Sequence, residues 1–252
     1  EVIELTREDG QKTTDSKEVA DLFAQYFEDK VENLKSEPKP ETVLEVMRDN
    51  FEGCKSWDLK EVSQDEVAKI IDSLPSKTSS GGDGVSYRLI KQLKYEILEP
   101  LTWILNMSIT TGSFPQQWKN ASIVPVFKKK GSKSNPGSYR PIALTSSLGK
   151  ILERVVRNQV QFHLEEKAIL PDCMHGFRKN RGTATAITEV LDRVKVAKAK
   201  GLKVMLVALD ATAAFDLINR PLLIEKLKII GAGPTTCNWF RNYLEQRTSQ
   251  VI

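Results

Sequence analysis

WKNASIVPVFKKKGSKSNPGSYRPIALTSSLGKILERVV, residues 118–156, is the stretch on which the fold turns. Its apolar, β-prone SIVPVF at 122–127 predicts a strand. A run rich in Lys, Ser and Gly follows at 128–138, and the chain returns through YRPIAL at 139–144, so the segment reads as a hairpin around a basic turn. Leu148, Ile151, Leu152, Val155 and Val156 then recur at helical spacing. Such a return aims Lys128 and Arg140 at one anion. Lysine supplies a point charge and arginine a planar fork, a pair suited to the oxygens of a triphosphate. A solvated basic turn is the plainer alternative.

Working outward, residues 1–60 read as an acidic helical lead-in with one amphipathic helix. Asp15 and Glu18 form a candidate capping box, ahead of Val19, Leu22, Phe23, Tyr26, Phe27, Val31 and Leu34 at helical spacing. SEPKPE at 36–41 reads as a connector, which places a division before residue 61. Ser63 with Glu66 makes a second capping box for a short helix through Val67, Ile70, Ile71 and Leu74 that stops at Pro75. SKTSSGGDG at 76–84 is a loop, and the apolar positions from Leu89 to Leu105 predict helices broken near Pro100 and closed by Gly112. Downstream, a helix is expected over 184–199, and VMLVAL at 204–209 predicts a buried strand ending on Asp210. NRPLLIEKL at 219–227 reads as a cap followed by a helix with Pro221 in its first turn.

Charge divides the chain more sharply than the net +4 suggests. Residues 1–118 hold 14 Lys/Arg against 23 Asp/Glu, whereas 119–252 hold 23 against 10. The basic half suits a polyanion, although runs of charge also serve as solvated faces. Three dispersed cysteines and two histidines support neither a disulfide framework nor a zinc site, and fit a reducing compartment. No run approaches the length of a membrane span, and no secretory leader is visible, so an internal piece of a larger intracellular protein, nuclear or cytoplasmic, is expected.

Two further places carry candidate chemistry. A carboxylate at the end of a buried strand, as expected for Asp210, projects from a rigid element into solvent and suits a Mg²⁺ ligand in phosphoryl transfer; a turn-forming or capping Asp is the alternative. HGFRKNRGT at 175–183 interleaves Phe177 with Arg178, Lys179 and Arg181 between glycines, a composition that allows base stacking and phosphate contact, while Phe177 is equally readable as core.

These pieces occur in the order found in reverse transcriptases of non-LTR (LINE-type) retrotransposons. The strings carrying the resemblance are 118–156, MHGFRKNRGT at 174–183, LDATAAFD at 209–216 and INRPLLIEKL at 218–227; SKTSSGGDGVSYRLIK at 76–91 is a less specific match. The resemblance implies an α/β (α+β), helix-rich, right-hand polymerase fold: fingers plus an incomplete palm in 61–252, with the thumb absent. It implies an RNA-directed DNA polymerase using two Mg²⁺ ions (or Mn²⁺), deoxynucleoside triphosphates, an RNA template and a DNA primer. By its motifs Asp210 matches the catalytic metal-binding aspartate, and the Ala211 carbonyl a second metal contact. Phe215 matches the residue beneath the sugar of the incoming nucleotide, and Lys128 and Arg140 match contacts to its triphosphate. Lys129, Lys130, Phe177, Arg178, Lys179 and Arg181 are carried over as nucleic-acid contacts. LDATAAFD departs from the common pattern by an Ala in place of a Ser-Lys pair, and Met174 stands where Gln is common.

The resemblance also implies a Tyr/Phe-x-Asp-Asp motif, and no Asp-Asp pair occurs in these 252 residues. One carboxylate does not hold two metal ions, so this polypeptide alone is expected to be inactive as a polymerase. The alternative expectation is a non-catalytic remnant of a decayed element that still binds nucleic acid. A group II intron maturase fits the string at 139–156 less well.

Overall fold

A computed structural model describes residues 3–7, 9–34, 40–51, 53–211 and 213–252. Compact packing divides the chain into two units, residues 1–156 with 215–252, and residues 157–214. The architecture is helix-rich mixed α/β with one small mixed sheet.

In the first unit, strands β1 (Leu5–Thr6) and β2 (Lys12–Thr13) form a short antiparallel ladder ahead of helix α1 (Ser16–Glu32). Asp15 caps α1 by accepting the Glu18 N–H at 2.9 Å, but only half of the expected capping box forms. Glu18 turns instead to Thr13 Oγ1 at 2.6 Å and Arg7 Nη2 at 2.7 Å, because a guanidinium offers its carboxylate a charge-assisted bond that the cap N–H does not. Helix α2 (Pro40–Phe51) corrects the expectation of a single helix before residue 61. Residues 36–39 of the expected connector lie outside the described residues; Pro40 and Glu41 already belong to α2.

Helix α3 (Gln64–Ser73) has the expected reciprocal capping box between Ser63 and Glu66 and ends at Leu74, whose extended backbone (ψ 144°) is the conformation a following proline demands. Helices α4 (Tyr87–Gln92) and α5 (Lys94–Thr111) are separated at Leu93, not at Pro100. Pro100 lies inside α5, where it lacks one backbone donor. Burial of Leu101, Leu105 and Ile109 on the face beyond it offsets that loss. Gly112 closes α5 in the left-handed region (φ 63°), as expected.

The hairpin forms as read: β3 (Asn120–Phe127) pairs antiparallel with β4 (Tyr139–Thr145), Val126 opposite Arg140. The Lys128 N–H donates to Ser138 O at 2.8 Å. Alternate rungs from there are the hydrogen-bonded ones, so the facing prolines Pro125 and Pro141 share a rung whose missing N–H groups would point away from the pair. β5 (Thr248–Val251) adds to β3 in parallel, giving the order β4-β3-β5. Sequence reading missed this strand, which is short and three-quarters polar.

Helix α6 (Ser147–Glu166) begins in this unit and buries Ile151, Leu152, Val155 and Val156. Asn219 caps α8 (Arg220–Ile229), and α9 (Pro234–Leu244) sets Trp239 against Phe114 with ring centroids 5.7 Å apart. Tyr243 stacks on Trp239 at 5.2 Å, and its hydroxyl donates to Glu153 at 3.0 Å. Burial and the adjacent Glu153 push the Tyr243 phenol up to about 12. A separate apolar cluster joins Leu5, Val19 and Phe23 to Tyr139 of the hairpin, so the acidic N-terminal segment packs on the hairpin through apolar side chains.

The second unit contains the rest of α6, a loop, and α7 (Thr183–Ala199), which buries no residue. Residues 202–211 follow. The expectation of a buried strand at 204–209 is corrected: the run forms no strand, and Met205 and Leu209 are 86% and 93% exposed. A run apolar on both faces needs a strand alongside and a layer above and below. No strand among the described residues pairs with this one.

Candidate functional site

The hairpin places two of the expected phosphate contacts together. Ser138 is the partner of Lys128 across the pair, and Arg140 lies two residues beyond it, so pleat alternation sets Lys128 and Arg140 diagonally on one face. The turn between the strands is held rigidly. Asn135 accepts the Gly137 N–H at 2.7 Å, Tyr139 Oη donates to Lys133 O at 2.8 Å, and Lys128 Nζ donates to Gly137 O at 2.7 Å. Burial lowers the Lys128 ammonium below its ordinary value, and the like charges of Lys30 and Arg140 push the same way. Lys129, at φ 58°, and Lys130 are exposed on the turn.

The HGFRKNRGT loop is pinned at three points within the second unit. His175 bridges Thr185 Oγ1 and Glu189 Oε2, both at 2.8 Å. Arg178 forms a two-pronged pair with Glu165 at 2.9 and 2.5 Å and also donates to Pro171 O at 2.9 Å. Arg181 pairs with Asp172 at 3.2 Å. The Arg178 guanidinium holds the Glu165 carboxyl below the usual range, and the His175 hydrogen bond, with Arg193, does the same for Glu189. Of the expected nucleic-acid contacts here, Arg178 and Arg181 are thus engaged by carboxylates of the chain, whereas Phe177, at φ 61° and 77% exposed, and Lys179 face outward. The Glu165 and Glu189 partners were not visible in sequence, since they lie 13 and 14 residues from Arg178 and His175 on different helices.

Asp210 and Ala211 fall in the strandless exposed segment, and Asp210 makes no hydrogen bond or ion pair among the described residues. Phe215 is 73% exposed in the first unit.

The sequence pattern of the family described as "Reverse transcriptase (RNA-dependent DNA polymerase)" matches residues 127–251. The RNA-directed DNA polymerase from mobile element jockey of Drosophila melanogaster is 31% identical over 238 residues, covering 94% of this chain and 26% of that protein. The probable RNA-directed DNA polymerase from transposon BS of the same species is 30% identical over 245 residues, 96% of this chain and 27% of the relative. The chain belongs to the reverse transcriptases of non-LTR retrotransposons. A more distant relative, the retrovirus-related Pol polyprotein from type-1 retrotransposable element R1 of Bradysia coprophila, is 28% identical over 168 residues, 66% of this chain and 16% of that protein. This reverse transcriptase chain spans about a quarter of the length of the jockey and BS proteins. No helix among its described residues is long and apolar enough to cross a membrane.

Reverse transcriptases use divalent metal, and the donor set here is too small to make a centre by itself. No group of three His, Cys, Asp or Glu side chains among the described residues is placed to hold an ion. A divalent ion in a phosphoryl-transfer site takes more oxygen ligands than one side chain and one carbonyl supply.

Proposed function

We propose that this chain is the nucleotide-phosphate-binding part of an RNA-directed DNA polymerase, with Lys128 and Arg140 as the residues that bind the triphosphate of the incoming deoxynucleotide. The observation that carries this reading is the hairpin register, which puts a point charge and a fork on one face above a rigid turn. Their role is to orient the triphosphate and offset its charge as the primer 3′-hydroxyl attacks. Asp210 is assigned as one metal-binding carboxylate, with the Ala211 carbonyl beside it and Phe215 as the residue beneath the sugar. A complete metal centre needs further carboxylates beside Asp210. Residues 61–252 are assigned to fingers and the first part of the palm, and 1–60 to a segment leading into them. RNA template and DNA primer are the proposed partners, approached by Lys129, Lys130, Phe177 and Lys179, with Arg178 and Arg181 shaping the loop that carries Phe177.

The test is primer extension by a polypeptide carrying this chain together with the rest of the polymerase. Lys128→Ala and Arg140→Ala should raise the KM for every deoxynucleotide, and Asp210→Asn should reduce extension by at least about a hundredfold. Normal extension by the Asp210→Asn protein would remove Asp210 from the reading. The 252-residue polypeptide alone, with no Asp-Asp pair, is expected to bind nucleotide without extending a primer.

A further inference from the structure

We infer that Lys30, on the N-terminal helix α1, is a third phosphate-binding residue, completing with Lys128 and Arg140 a three-cation cradle for a phosphate chain. The inference rests on the assignment of Lys128 and Arg140 to phosphate and deepens it, because it makes the acidic N-terminal segment part of the nucleotide site.

The geometry starts from the face α1 turns to the hairpin. Phe23 is buried with its ring edge-on to Tyr139 at 4.9 Å, and Phe27 stacks on Phe23 at 5.7 Å. Tyr26 lies against the turn itself: a Cβ placed on Gly137 would sit 2.8 Å from the Tyr26 hydroxyl oxygen. Positions 23, 26, 27 and 30 follow helical spacing, so the next residue on the hairpin-facing side is Lys30. Gly137 is also the residue whose carbonyl receives Lys128 Nζ at 2.7 Å. The Lys128 ammonium is therefore drawn to the part of the turn that α1 covers, and burial first, then the charges of Lys30 and Arg140, lower its pKa.

Three like charges gathered around one turn favour an anion among them. Neither Lys30 nor Arg140 has an ion-pair partner among the described residues, although α1 is rich in carboxylates. Asp29 is engaged by Gln25 at 2.7 Å, and Glu18 by Arg7. A backbone bond from Thr6 N to Ser134 O, at 3.0 Å, ties the β1–β2 ladder to the same turn, so the N-terminal segment holds it from two directions. The ligand chemistry is a chain of phosphates, from a nucleoside triphosphate or from a nucleic-acid backbone.

The test uses the full 252-residue chain. Titration with inorganic tripolyphosphate, with dTTP and with a single-stranded oligonucleotide would compare Lys30→Ala, Lys30→Arg, Lys128→Ala and Lys198→Ala, the last removing the same charge from α7. Lys30→Ala should weaken tripolyphosphate binding about fivefold, in the same direction as Lys128→Ala, while Lys30→Arg keeps it and Lys198→Ala leaves it unchanged. Whichever of dTTP and oligonucleotide loses more identifies the source of the phosphates. If Lys128→Ala weakens binding and Lys30→Ala behaves like Lys198→Ala, the third cation is overturned and the hairpin assignment stands. If Lys128→Ala also behaves like Lys198→Ala, the hairpin assignment fails and this inference falls with it.

Discussion

The hairpin and the segment 202–211 begin from similar sequences, SIVPVF and VMLVAL, and reach opposite ends: one is a paired strand in a braced unit, the other an exposed run with no regular structure. The difference lies in where each finds its partner. β3 meets β4 after an eleven-residue turn, so closing that loop costs little entropy, and Phe23 and Tyr139 then cover one face of the pair. VMLVAL is the more hydrophobic of the two, yet its backbone groups have no neighbouring strand among the described residues. Hydrophobicity supplies the wish to be buried, and pairing decides whether a strand forms.

Four experiments would break or sharpen that contrast. Trp239→Ala should cost about 3–5 kcal/mol in denaturant unfolding, because the indole is 1% exposed, stacked on Tyr243 and hydrogen-bonded to Ser108 at 3.0 Å. The loss should register in amides of β3 and β4 and leave those of α7 unchanged; equal loss in both would mean the two units unfold as one. In the unmodified chain, hydrogen exchange at residues 204–209 should run at least about a hundredfold faster than at 122–127. Comparable protection would show that the apolar run is paired in solution.

Next in size is a pH effect confined to the hairpin-bearing unit. The Tyr243 phenol binds its proton more tightly folded (about 12) than unfolded (10.0), so the stability it contributes is present below pH 10 and lost as pH rises towards 12. Roughly 2 kcal/mol should disappear across that window and not do so in Tyr243→Phe. Smallest, Gly137→Ala should cost about 1 kcal/mol, since its Cβ would meet the Tyr26 hydroxyl at 2.8 Å. That variant should expose Lys128 to proteolysis before any change appears near Asp210, and an unchanged turn would argue that α1 does not hold it.

Much of this was legible from sequence where signals are local. The Ser63 box, the Asn219 cap, Gly112 and the strand–turn–strand pattern each depend on residues within a few positions of one another, and each appears as read. What failed depended on distant partners. Glu18 left its cap for Arg7, Pro100 was absorbed by a helix whose far end is buried, and VMLVAL lacked the neighbours its composition requires. At the candidate site, the placement of Lys128 and Arg140 on one face was readable because the hairpin is local. The carboxylates that engage Arg178 and Arg181 were not, nor was the approach of α1, which carries Lys30, to the turn through Tyr26.

The facing pair Pro125 and Pro141 also sets where the sheet can grow. On the side of β4 that no strand among the described residues pairs, the donor an incoming strand would seek at residue 141 is absent, so that edge disfavours a fourth strand at its middle. On the other side of β3, parallel pairing with β5 includes Ile123, and Pro125, two residues further along, has no N–H to offer on that side. Two ring nitrogens thus act as boundary stones: each withholds a donor from an outer side of the hairpin, which disfavours edge-to-edge recruitment of another copy at that rung.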